Sequence, residues 1–233
     1  SFTLLVSVLD TELKTQVALF ADERSIEAAR RMSYQSGVLE GRDMARIFAW
    51  MRPNDLIWNY WVNNYLLGNV PDIMASIKKY GIIINVNPRN LVRVPELLEI
   101  YGEPLRPFVM PVKTWINDGH RVTLEANGSD FWTAIYTLVT RRIIKQGTDE
   151  WVELVPEEGI DRVTALKMAT TWASEYMLAE DTVGTLEPGK YADFAVLEED
   201  FFTIPVEGIL DGISVVMTGL GGQIVHDQLA EGN

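Results

Sequence analysis

The strongest constraint on the fold is a helix stop followed at once by an almost wholly apolar run. Asp72 to Tyr80 reads as a helix closed by Gly81, and Ile82 to Val86 follows as a strand apolar enough to be buried on both faces. Such strands belong to parallel sheets covered by helices. The same grammar continues downstream, with helices expected at 94–101 and 112–118, a strand at 121–126 after Gly119, and helices at 131–144 and 161–177. Alternation of this kind implies an α/β layer or barrel. Beyond it, 191–197 and 215–225 read as strands interrupted by Gly219, Gly221 and Gly222, a small β layer.

Before residue 70 the pattern differs. A strand is expected within 2–9, then helices at 25–31, 42–50 and 54–67, the last crowded with Trp58, Tyr60, Trp61 and Tyr65 before Gly68 and Asn69 stop it. The expected fold is therefore a partial (β/α) barrel followed by a small β layer and preceded by a mostly helical segment. The boundaries fall at 1–69, 70–190 and 191–233. Charge divides at the same place: residues 1–69 hold 7 Lys+Arg and 8 Asp+Glu, the remainder 13 and 25. A formal charge of -13 argues against nucleic acid as a general partner, because phosphate binding needs clustered cations. No apolar run reaches the roughly 18 residues that would span a bilayer. The absence of cysteine removes disulfides, thiolate metal sites and thiol nucleophiles, and suits a cytoplasmic protein.

Chemistry-bearing residues are few. There is no Gly-x-Ser-x-Gly elbow, and Gly189-Lys190 is followed by Tyr191 where a phosphate loop needs Ser or Thr. A catalytic divalent metal ordinarily takes three protein ligands rich in His and carboxylate, yet His120 and His226 are the only histidines, and both read as surface or turn residues. Asp130 follows a buried-looking strand through Asn127-Gly128-Ser129, at the strand end where barrel enzymes place catalytic groups. It has two readings: the N-cap of the helix starting at Phe131, or a carboxylate of a metal site. Arg141-Arg142 could attract an anion, against the plainer reading of a solvated helix end.

Two stretches resemble known families. FADERSIEAARRMSYQSGVLEGRDMARIFAWMRPNDLIWNYWVNNYLLGN, within residues 1–69, is similar to the cap region of class I poly(hydroxyalkanoate) synthases. That segment lies between the family's nucleophilic cysteine and its later aspartate and histidine; without a cysteine this polypeptide cannot carry thioester polymerisation. From about residue 70 the chain resembles the C-terminal portion of metal-dependent amidohydrolases, nearest their deacetylase-like branch. DRVTALKMATTWASEYMLAEDTVGTLEPGKYADFAVLEEDFF carries this likeness, with Gly184-x-Leu186-x-x-Gly189-Lys190-x-Ala192-Asp193 at the return from barrel to β layer. There Gly184 and Gly189 would permit tight turns, and Ala192-Asp193 would open a closely packed strand.

The resemblance implies a hydrolase of non-peptide carbon–nitrogen bonds acting on a small-molecule amide, with a divalent metal such as zinc. Asp130 is the residue that can match the family's aspartate after the last strand, as metal ligand and catalytic group. The usual proline-containing loop after it is replaced by Phe131-Trp132-Thr133. With the other ligands missing, the chain is expected to be inactive alone and not to bind the metal itself. A non-catalytic fused or binding module is the alternative, and a fragment of a polyester synthase the weaker one. Half a barrel would leave edges uncovered, which favours a homo-oligomer.

Overall fold

The computed structural model describes residues 71–79, 83–126 and 130–231, together with Asn69 and the strands at 3–6, 33–36 and 60–62. Helices expected at 25–31 and 42–50 lie outside the described residues. Five short strands form one parallel sheet in sequence order: β1 (Thr3–Val6), β2 (Ser33–Ser36), β3 (Tyr60–Val62), β4 (Ile84–Val86) and β5 (Val122–Leu124). The sheet runs across Asn69, since Val62 of β3 pairs with Ile84 of β4. β4 and β5 then pair in register, Ile84 with Val122, Asn85 with Thr123 and Val86 with Leu124. The chain is a mixed α/β protein, and no closed barrel forms among the described residues.

One expectation before residue 70 is corrected. The helix anticipated over 54–67 is interrupted by β3, where Tyr60-Trp61-Val62 pairs with β2 instead. Aromatic and β-branched residues fit a pleated sheet better than a helix interior when a strand edge is available. Ser33–Ser36, where no element is expected, is also a strand, pairing with β1.

The helices pack the sheet as the apolar pattern requires. They are α1 (Pro71–Lys79), α2 (Val94–Tyr101), α3 (Val112–Asn117) and α4 (Phe131–Thr140). Ile77, Ile84, Val86, Leu91, Val122 and Ile135 join one core around the fully buried Trp115. α4 is buried almost all round, with Ala134, Ile135, Tyr136 and Leu138 shielded, which explains its lack of a polar stripe.

α4 stops at Thr140, four residues short of the expected end, and β6 (Arg142–Ile144) turns back to pair antiparallel with β7 (Trp151–Glu153). The stop is made by Arg141, which adopts a left-handed conformation at φ 60 without the glycine that usually serves there. Its guanidinium is fully buried and donates to the backbone carbonyls of Leu154 (3.1 Å), Met110 (3.3 Å) and Val109 (3.2 Å). This overturns the solvated-end and anion readings of Arg141, because every one of those contacts points inward.

The helix expected at 161–177 is two helices, α5 (Arg162–Ala169) and α6 (Thr171–Tyr176), broken at Thr170 with φ -124 and ψ -90. Adjacent β-branched threonines weaken the helix there, and the Thr170 hydroxyl donates back to the Leu166 carbonyl at 2.7 Å. The end of the chain is a three-stranded antiparallel sheet in the order β10-β9-β8, from β8 (Phe194–Leu197), β9 (Val215–Leu220) and β10 (Gln223–Asp227), with α7 (Gln228–Glu231) after it. Gly221 and Gly222, both at positive φ, make the β9–β10 turn. Among the described residues no helix is long and apolar enough to cross a membrane.

Candidate functional site

Sequence reasoning points to the C-terminal end of β5, and Asp130 stands there as the N-cap of α4. Its Oδ2 accepts hydrogen bonds from the Thr133 backbone N–H at 3.0 Å and the Thr133 hydroxyl at 3.4 Å. The residue is exposed, and its negative charge sits at the favourable end of the helix dipole. At the same end of β4, Asn87 caps the 3-10 turn Pro88–Arg93 by accepting from the Arg89 backbone N–H at 3.1 Å. Both side chains therefore do the same local job, satisfying backbone donors that follow a strand.

The histidines lie elsewhere. His120 precedes β5, at the sheet's opposite end, and is 6% exposed, which corrects the expectation of a surface residue. Its backbone N–H donates to the Trp115 carbonyl at 2.9 Å, and its buried Nδ1 has no hydrogen-bond partner among the described residues. Burial pushes its pKa below the usual value, the Lys78 cation pushes the same way, and the Asp118 carboxylate opposes them. His226 is exposed on β10, with Nε2 at 3.0 Å from the Val215 carbonyl.

A metal centre needs its donors within about 2 Å of one ion. His120 precedes β5 and Asp130 follows it, so the strand lies between them, and His226 belongs to the terminal sheet. No three His, Asp or Glu side chains converge among the described residues. The described residues do not fit a conventional three-ligand site, in which Asp130 would be one ligand.

Two arrangements escaped sequence reasoning. Asn85, buried in the middle of β4, donates through Nδ2 to the Thr123 hydroxyl at 3.1 Å, while its Oδ1 is buried without a partner. A lone amide in an apolar strand was the available signal. Glu158 is 8% exposed and accepts from the Thr114 backbone N–H at 2.9 Å and hydroxyl at 2.5 Å. Its charge, with that of Glu157, partly offsets the burial that lowers Arg141 to about 10, so the guanidinium stays a cation at neutral pH.

A profile described as the amidohydrolase family matches residues 65–226, more than half of the chain. The chain belongs to the amidohydrolase family. Among solved structures, an uncharacterized metal-dependent hydrolase from Pyrococcus horikoshii OT3 superposes with a TM-score of 0.65 and 19% identity, over 79% of this chain and 38% of that one. An adenosine deaminase from Xanthomonas campestris with bound zinc gives 0.62 and 13%, over 88% and 48%. At these identities the likeness is one of fold. A different relationship comes from poly(3-hydroxyalkanoate) polymerase 1 of Ectopseudomonas oleovorans, 53% identical over 116 residues, 45% of this chain and 21% of the polymerase. That share exceeds what residues 1–69 hold. The chain thus spans about a fifth of that polymerase and less than half of either solved amidohydrolase-like structure.

In this amidohydrolase-family chain the Gly184 to Asp193 signature is structural. Gly184, at φ +95, lies so close to Ser174 that any Cβ would overlap its hydroxyl. Asp193 Oδ1 accepts from the Gly221 backbone N–H at 2.6 Å and ties the loop to the β9–β10 turn. Ala192 is exposed, so the expectation of close packing there is corrected. The tight spot is Gly219, whose absent Cβ leaves room for the Phe194 ring.

Proposed function

We propose that this chain is part of an amidohydrolase unit that hydrolyses non-peptide carbon–nitrogen bonds of small-molecule amides, and that it is incomplete and inactive alone. The family match over 65–226 supports the reaction class. In this reading the five sequential parallel strands are an open share of a (β/α) barrel, with the antiparallel sheet as the β layer beyond it. Asp130 is the chain's contribution to a zinc-type site, as ligand and catalytic carboxylate. The placement of Asp130 and His120 at opposite ends of β5 carries the claim of incompleteness, and no metal-bound step is assigned to these residues. A second copy covering the uncovered strand edges, in a cytoplasmic setting, completes the proposal. Incubation of the purified chain with zinc and N-acyl amino acids should give no hydrolysis above background. Turnover that Asp130→Asn abolishes would contradict the proposal.

The polymerase likeness supports a second reading, in which the chain is a non-catalytic fused module carrying a piece of a polyester synthase. Without a cysteine it should not turn over a hydroxyacyl-coenzyme A. Release of free coenzyme A by the purified chain would overturn that expectation.

A further inference from the structure

Between the turn that follows β4, the first half of α4 and the β6–β7 hairpin lies a cleft of about 130 Å³. Val92, Ala134, Ile143 and Trp151 give it apolar walls, and Arg89 is the one charged residue in its lining. Apolar cavities of about 150 Å³ are large enough to take a benzene ring, so this space suits one aromatic ring.

Trp151 is held ready for stacking. The Tyr136 ring meets it edge-on at 5.7 Å, and the Arg142 guanidinium lies over it at 5.7 Å while donating to the Tyr136 hydroxyl at 3.0 Å. The indole nonetheless stays 37% exposed, leaving a surface for a partner. A platform already fixed loses little side-chain freedom on binding.

The polar lining decides the chemistry. Thr137 donates its hydroxyl to the Arg142 carbonyl at 3.3 Å, and Thr133 donates its own to Asp130, so both are engaged away from the cleft. Arg89 is different: it is exposed, and its guanidinium makes no ion pair or hydrogen bond among the described residues. Its backbone is nevertheless held at the edge of the cleft, because Pro88 is buried beside it and its own backbone N–H is tied to Asn87. An unengaged cation next to apolar walls is complementary to an anion with an apolar body.

We propose that this cleft binds a small aromatic carboxylate, with the ring against Trp151 and Ile143 and the carboxylate on Arg89. The site does not depend on the amide-hydrolysis reading, since neither Asp130 nor a histidine lines it. The test is an NMR titration of the full chain with benzoate, following the Trp151 indole N–H, with benzyl alcohol as the uncharged comparator. Benzoate should give saturable shifts with Kd in the range of about 1 mM, as expected for so small a ligand. Arg89→Gln, and benzyl alcohol on the unaltered chain, should each bind about tenfold more weakly, the weight of one charge-assisted contact. Arg93→Gln, which alters an exposed cation outside the lining, should leave Kd unchanged. No saturable shift at Trp151, equal binding by Arg89→Gln, or an equal loss in Arg93→Gln would overturn the proposal.

Discussion

In the α/β body Ile77, Ile84, Leu91, Trp115 and Ile135 are wholly shielded from solvent, whereas in the terminal sheet Val196, Leu220, Ile224 and Val225 keep 40%, 61%, 49% and 58% of their surface. The two regions have similar residue types and different packing. In the body, Ile84, Val86 and Val122 of β4 and β5 are buried in the core, and Arg141 ties Leu154, just after β7, to Val109 and Met110 before α3 through their carbonyls. Leu197 of the terminal sheet packs against the core, to which Ile213, just before β9, also belongs. Cooperative stability therefore resides in the body, and the sheet's outer residues add little to it.

The largest effect that would break this contrast is expected at Arg141. Arg141→Ala leaves three buried carbonyls and Glu158 without their cation and should cost about 3–5 kcal/mol, read as a lowered denaturation midpoint. A loss no greater than a surface substitution would show that the body is not locked there.

Next comes His120, whose folded form prefers to be neutral because burial lowers its pKa. The unfolded chain then binds the proton more readily, so the stability this histidine supplies is fully present above its unfolded pKa of about 6.5. It is lost as pH falls from there toward the lower folded value, at no more than about 1.4 kcal/mol per pH unit. His120→Gln should flatten this part of the stability profile; an unchanged slope would assign the acid sensitivity to other groups.

A smaller change is expected at the cap. Asp130→Ala should cost about 1 kcal/mol, and Asp130→Ser should recover most of it, since serine also accepts from the N3 backbone N–H. Equal losses in the two variants would remove the capping account. The smallest effect belongs to the terminal sheet, where Ile224→Thr should stay within about 0.5 kcal/mol of the unaltered chain. A loss above 2 kcal/mol, by the same denaturation measurement, would mean that something covers that face.

Much of the body was legible in the sequence because its signals are local. Gly81 before an apolar run gave β4, Gly119 gave β5, and Asp130 was readable as the N-cap that starts α4, where it accepts from the Thr133 backbone N–H. The unread features depend on distant partners. Arg141 is buried because carbonyls 31 and 32 positions earlier and 13 later are waiting for it, and no local pattern encodes that. His120 looked like a turn residue because nothing in Gly119-His120 reveals that tertiary packing buries it. Tyr60-Trp61-Val62 became a strand because β2 and β4 offered it two edges. At the candidate site, the position of Asp130 and its capping role were readable, while its separation from both histidines required the topology.

Equilibrium dialysis of the unaltered chain and Asp130→Asn against zinc tests the central claim most directly, that the described side chains do not assemble a metal centre. The account predicts that neither retains a stoichiometric ion after exhaustive washing. One tightly held zinc per chain, lost in Asp130→Asn, would contradict it.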